Sequence, residues 1–295
     1  MTLPPVGSAF VLTGVGEPAE APALEPVETI TLDGDWEFEA EDPNALVLDR
    51  WEAAVDGTDD WVEMLAGAWA YQLPAEPTRP YPLPVRYRAT FEVGAVPPRA
   101  ELIIDGFAGE DWEAHVNAQK VSGQPERSPF DAQMRTLPIE RLLQVGENVL
   151  EIGITVTGPT DGLLDLLKII GDFSLEGRCI VQPRGRLAPA PWTEQGYPFY
   201  SGLGVYRFAF ELAEGDGDER ILLEPELADD AVEVVVNGAP VGVRLWPPYG
   251  LEITEHVHAG ENTLELRVAN TLVNLLDGVE RRSGLAGPPK LVRCR

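Results

Sequence analysis

Apolar and polar residues alternate one by one along several short stretches of this chain. In VRYRATFEV (85–93), Tyr87, Ala89 and Phe91 fall on one side and Arg88 and Thr90 on the other. In GVYRFAFEL (204–212), Tyr206, Phe208 and Phe210 oppose Arg207 and Ala209. A period of two sends alternate side chains to opposite faces of an extended backbone, so both stretches read as half-buried β-strands. GENVLEIGITV (146–156) and GENTLELRVAN (260–270) follow the same rule, with Leu150, Ile152 and Ile154, and then Leu264, Leu266 and Val268, on the apolar side. Sustained helical periodicity is almost missing, and Gly, Pro and Asn interrupt the chain at short intervals. The expected class is all-β, with short helical turns within SPFDAQMRTLPIERLL (128–143) and near 163–167.

These stretches pair off as two copies of one pattern. WEAHVNAQKV (112–121) and VEVVVNGAPV (232–241) each run as a strand to an asparagine and resume two or three residues later, as a hairpin does. Asn237-Gly238 suits a type I′ turn, whose two central residues both need positive φ; Asn117-Ala118 suits it less well, and a different turn is expected there. Tyr206 stands 119 residues after Tyr87, Asn237 stands 120 after Asn117, and Gly260 stands 114 after Gly146. A spacing near 120 residues is that of a whole β-sandwich, so the architecture expected is two tandem sandwiches. The division expected is a strand remnant and linker over 1–27, a first sandwich over 28–178 and a second over 179–295. Within the first of these, LPPVGSAFVLTGV reads as a strand without its sheet and EPAEAPALEP (17–26) as a linker.

Composition narrows the partners. The net charge of −27 argues against nucleic acid, because phosphate binding needs clustered Lys and Arg. The acidity is concentrated before residue 179, where 32 acidic residues face 11 basic ones. No run of about 18 apolar residues points to a membrane span. Cys179 and Cys294 are too few for a disulfide framework. The start, MTLPPVGSAF, lacks the basic and apolar regions of a secretory signal, so the expectation leans to the cytoplasm.

With the two copies aligned, longer phrases become recognisable. LDGDWEFEAEDPNALVLDRW (32–51), PVRYRATFEV (84–93), DWEAHVN (111–117), GENVLEI and GENTLEL resemble the sugar-binding sandwiches of glycoside hydrolase family 2, which have the galactose-binding-like jelly-roll fold. TDGLLDLLKIIGDFSL (160–175), WTEQGYPFYSGLGVYR (192–207), VNGAPVGVRLWPPYGLEIT (236–254), NTLVNLLDG (270–278) and SGLAGPPKL (283–291) are similar to the C-terminal region of family 106, the bacterial α-L-rhamnosidases. The resemblance runs from about residue 28 to the end. It implies two jelly rolls, carbohydrate as ligand and a catalytic domain or subunit as partner, with LPPVGSAFVL like the last strand of an upstream domain. A catalytic (β/α)₈ barrel needs about 250 residues of its own, so no catalytic residue is carried over to any position here.

Aromatic residues in Pro- and Gly-broken segments are the candidate sugar contacts, since pyranose C–H faces stack on rings while hydroxyls seek polar side chains. They are Trp192, Tyr197 and Tyr200 in the 192–207 stretch, Trp246 and Tyr249 in RLWPPYG (244–250), and Trp112 among Glu110, Asp111 and Glu113. Each has a plain alternative: the first group as an aromatic plug joining the domains, the second as packing under a loop, the third as a strand-edge cover of the core. No catalytic residue is nominated, since any acidic pair in so acidic a chain could meet the spacing of a glycosidase by chance. No cofactor is expected. Calcium has its nearest acidic loops at DGTDD (56–60) and ADD (228–230), and zinc only the pair His256 and His258, without a third ligand.

Overall fold

The structure, a computed structural model, describes residues 25–66, 80–215 and 218–295. They are almost entirely β, arranged in mainly antiparallel sheets around two cores. The LPPVGSAFVLTGV segment and most of the 17–26 linker lie outside the described residues.

The first pair encloses one core. Its larger sheet is built on Leu83–Val93 and Gly146–Val156, paired along their whole length, with Glu110–Val116 on one flank and Trp51–Val55 and Val62–Met64 on the other. The facing sheet runs Arg135–Pro138, Ala100–Ile104, Leu167–Gly171, Asn44–Leu48. The alternation read from the sequence holds residue by residue: Tyr87, Ala89 and Phe91 are buried with Leu150, Ile152 and Ile154. Leu167–Gly171 and, at the end of that sheet, Asn44–Leu48 are buried on every residue, so both faces of each strand are covered.

The second pair repeats the plan. One sheet runs Arg186–Leu187, Trp36–Ala40, Leu203–Leu212, Gly260–Ala269, Ala231–Val236, Ala239–Arg244; the other runs Pro26–Thr31, Leu285–Cys294, Arg220–Leu227, Leu251–Glu252. The order of these strands corresponds, and so does the register, while the first sandwich adds Cys179–Val181, parallel to Leu83–Val93, and Ser174–Glu176 beyond it. Arg88 stands between Glu52 and Glu151, and Arg207 between Glu37 and Glu265.

The two sandwiches are interleaved rather than consecutive. Division at 28 and 178 would assign the strands Pro26–Thr31 and Trp36–Ala40 to the first sandwich or its leader, yet they pair with Leu285–Cys294 and Leu203–Leu212 of the second. Leu32, Trp36 and Phe38 lie in the second core. The first sandwich is therefore an insertion between two parts of the second. Consequently Glu25 and Arg295 exchange both backbone hydrogen bonds, each at 3.0 Å. Phe199 and Leu275, late in the chain, return to the first core.

Residues 128–143 hold an expected helical turn, the 3₁₀ turn Glu140–Leu142, after the strand Arg135–Pro138. Two local expectations are corrected. Residues 163–167 join two strands, and a short α-helix lies instead at Val273–Asp277, closed by Gly278 at φ 63°. The Asn117-Ala118 turn has both central residues at positive φ, 52° and 61°, just as Asn237-Gly238 has 51° and 77°. Alanine accepts the left-handed conformation because a polar network holds its neighbour. Asn117 Nδ2 donates to Asn148 Oδ1 and to Leu142 O, and Asn117 Oδ1 accepts from Val149 N. Asn237 does the same with Asn262 Oδ1, His256 O and Thr263 N.

Candidate functional site

The 192–207 stretch is a plug. Trp192–Glu194 forms a 3₁₀ turn, and the Gln195 amide closes it by accepting from Ala188 N at 2.8 Å and donating to Ala190 O at 2.9 Å. Gly196, at φ 102°, then turns the chain so that the tyrosines point inward. Trp192, Tyr197 and Tyr200 are all buried in the second core, against Phe38 and Tyr206. Tyr197 OH donates to Arg184 O at 3.1 Å and Tyr200 OH to Leu203 O at 2.7 Å, and burial pushes both hydroxyls above the usual tyrosine range. A ring with no accessible face cannot stack on a sugar, so as surface contacts these three are corrected to core residues.

The other candidates separate. Tyr249 turns into the second core, where its hydroxyl is pushed up to about 12, chiefly by burial. Trp246, 43% exposed, stays on the surface between Leu245 and the two prolines, and Arg244 Nε closes the base of the loop on Gly250 O at 3.2 Å. Trp112 is 38% exposed on the first sandwich, its ring tilted on Phe107 at 5.2 Å. Beside it, Lys120 holds the Glu113 carboxyl below the usual range across 2.8 Å. Trp112 and Trp246 thus belong to different sandwiches.

The acidic loops are occupied by protein contacts. Asp56 pairs with Arg86 at 3.2 Å. Asp230 is buried, with Oδ2 accepting from Gly284 N at 2.6 Å, and burial raises it to about 7 against the opposing pull of that bond and of Arg281. Among the described residues no three His, Cys, Asp or Glu side chains converge as a metal site would require. No helix among them is long and apolar enough to cross a membrane.

One arrangement was missed in the sequence. On the outer face of the six-stranded sheet, side chains from four adjacent strands form a ladder of alternating charge. Glu39 meets Arg207 at 2.8 Å, Arg207 meets Glu265 at 2.7 Å, Glu265 meets Arg267 at 2.6 Å, and Arg267 meets Glu233 at 3.3 Å. The shared carboxylate, Glu265, is held below the usual range by its two guanidiniums despite partial burial. Beside it lies a groove of about 660 Å³, lined by Glu37, Arg186, Arg207, Glu265 and Arg267 among others. The signal was present in the alternation, where Arg207 and Glu265 are the polar members of two strands. Their pairing needed the register.

The fold and site define a class: an all-β chain of two related sandwiches, each with its own core and a groove beside the arginine row of its larger sheet. No family model matches the chain. A curated relative from Formosa agariphila, described as "Putative beta-glucuronidase", is 36% identical over 89 residues, which is 30% of this chain and 8% of the relative. Among solved structures, a rhamnosidase from Novosphingobium sp. PP1Y is 20% identical with a TM-score of 0.33, over 73% of this chain and 23% of that one. A β-D-mannosidase from Dictyoglomus thermophilum is 16% identical with a TM-score of 0.32, over 83% and 31%. A β-glucuronidase from Ruminococcus gnavus is 13% identical with a TM-score of 0.37, over 79% and 40%. The chain spans less than half the length of each of these proteins. Their names cover several sugar specificities and do not single out family 106.

Proposed function

We propose that this chain is an accessory region of a glycoside hydrolase that holds carbohydrate beside a catalytic domain and does no bond cleavage itself. The observation that carries the reading is the partial match: 36% identity over 89 residues to a glucuronidase-like protein of which those residues are 8%. The order of the quoted phrases supports a family 2 type of parent, with the family 106 α-L-rhamnosidases as the particular kin. The exposed rings Trp246 and Trp112 are the stacking contacts in this reading, with Arg244 and the carboxylates around Trp112 placed to take hydroxyls.

Calorimetric titration with rhamnose-, galactose- and glucuronate-bearing oligosaccharides tests it. Binding by the intact chain, weakened in Trp246→Ala or Trp112→Ala, is expected. Hydrolysis of aryl rhamnosides or aryl glucuronides by the purified chain would overturn the non-catalytic part.

A second reading, bracing of a catalytic domain, is favoured by one feature. Val243, Leu245 and Trp246 are all exposed along and just after the edge strand Ala239–Arg244, where apolar side chains next to unpaired backbone ordinarily have a cover. A chain that binds no glycan, and whose self-association falls in Leu245→Glu, would establish bracing over carbohydrate holding.

A further inference from the structure

The two copies differ at one backbone contact. In the first sandwich Ala108 and Gly162 pair strand to strand, and Glu110, two residues after Ala108, is exposed. The matching residues of the second are Ala228 and Gly284. There Leu227 pairs with Leu285 as Phe107 does with Leu163, and each glycine stands six residues before a lysine, Lys168 or Lys290. Ala228 N donates to Gly284 O at 3.1 Å, but Gly284 N donates to a side chain, Asp230 Oδ2, at 2.6 Å. A titratable carboxyl has entered what is a plain strand contact in the other copy.

The surroundings of Asp230 decide what its charge does. Asp230 is 8% exposed, so an ionised carboxyl there lacks water, and burial is the main reason that it is raised to about 7. Asp229, on the same turn, opposes the charge, and Arg281, exposed just before Leu285–Cys294, favours it. Tyr206, on Leu203–Leu212, and Tyr249, on the 244–250 loop, face it with hydroxyls, while Arg282 is taken by Glu194 at 3.3 Å. When Asp230 loses its proton, its bond to Gly284 N strengthens, because an ionised acceptor is the stronger one. That side stays fixed, and water must enter from another. Tyr206 is held in a strand paired on both edges, with Trp36–Ala40 and Gly260–Ala269. Tyr249 is different: its hydroxyl has no hydrogen-bond partner, and its loop is closed at the base by Arg244 Nε on Gly250 O at 3.2 Å. The loop is the element that opens at least cost.

We propose that Asp230 is a proton-operated latch on the 244–250 loop: protonated, it lets Tyr249 dock and hold Trp246 in place, and ionised, it undocks Tyr249 and lets the loop swing from the core. The movement stands by itself; only its use, pH control of the Trp246 contact, rests on the carbohydrate reading above. Fluorine NMR of the full chain carrying fluorotryptophan tests it, with the Trp246 resonance assigned from Trp246→Phe. In the parent that resonance should shift with a midpoint near 7, the value of Asp230. In Asp230→Asn it should keep its low-pH position up to pH about 8. In Arg281→Gln, a change at an exposed position that keeps the fold, the midpoint should rise, because the charge favouring ionisation is gone. His256 and His258 are intact in both variants, so a titration that persists in Asp230→Asn belongs to another group and would overturn the latch. A Trp246 resonance that does not titrate in the parent, or a midpoint unmoved in Arg281→Gln, would overturn it equally. No glycan is present in the measurement, so failure here leaves the carbohydrate reading standing.

Discussion

Replacing Asn262 by alanine removes four hydrogen bonds at one point of the second sandwich. Its Oδ1 accepts from Asn237 Nδ2 at 2.8 Å and from His258 N at 3.0 Å, and its Nδ2 donates to His258 O at 2.8 Å and to Gly260 O at 3.0 Å. Asn148 holds the same four places in the first sandwich, bonding Asn117 Nδ2 at 2.8 Å, Gln144 N at 2.9 Å, Gln144 O at 2.7 Å and Gly146 O at 2.9 Å. Both side chains are buried, while the backbone groups they serve lie near the surface. At about 1 kcal/mol net per bond, the loss is about 4 kcal/mol; access of water to the freed partners reduces it to roughly 2–3 kcal/mol. Urea unfolding followed by tryptophan fluorescence is the assay, with Asn262→Ala lowering the transition of the second sandwich and Asn148→Ala that of the first. Because Asn237 already depends on Asn262, the double variant Asn237→Ala/Asn262→Ala should cost about 1 kcal/mol less than the sum of the singles. A loss below about 0.5 kcal/mol in either single variant, or strict additivity in the double, would refute the claim that these networks hold the turns.

Ala118→Gly should stabilise the chain by about 0.5 kcal/mol, since relief of a left-handed alanine at φ 61° outweighs the added freedom of the unfolded chain; a lower melting temperature would contradict that. Asp230 has its pKa raised to about 7, so the folded chain holds a proton that the unfolded chain has released; its contribution is fully present below the unfolded value and is lost as pH rises through the folded one, by about 1.4 kcal/mol per unit across the window. Asp230→Asn keeps an acceptor for Gly284 N and should melt higher than the parent at pH about 8 but not at pH about 4; a lower melting point at the higher pH would reverse the sign. Starting the chain at Glu41 removes Trp36 and Phe38 from the second core while leaving the first intact; a single unfolding step, that of the first sandwich, is expected to remain, and a retained step for the second sandwich would refute the interleaving.

Much of the fold was legible because burial in a sheet follows a period of two that the residues display openly. Tyr87 and Tyr206, Leu150 and Leu264 show which face is inside, and the spacing of their motifs shows that the plan occurs twice. What the pattern cannot show is a partner far away in the chain. Pro26–Thr31 has exposed or half-exposed residues throughout, so its residues carry almost no sign of the strand they join, which ends at Cys294. The turn at Asn117 was misread for a related reason. Alanine is a poor left-handed residue on its own, and the bonds that stabilise its neighbour come from positions 25 to 32 residues further on.

The candidate site followed the same divide. Aromatic residues beside Gly and Pro fit either a surface contact or an aromatic plug, because composition alone does not distinguish a ring exposed on a loop from one that the loop folds inward. Trp192 is fully buried and Trp246 is 43% exposed in segments of similar composition. The difference lies in what the turn does next. Gly196 sends the first segment under Phe38, while Arg244 closes the second on itself at Gly250 and leaves Trp246 outside. The ion ladder was harder still, because each Arg and Glu taken singly reads as an ordinary solvated position. Only the duplicated register brings them together, since Arg207 between Glu37 and Glu265 repeats Arg88 between Glu52 and Glu151 and neither arginine has those partners near it in the chain.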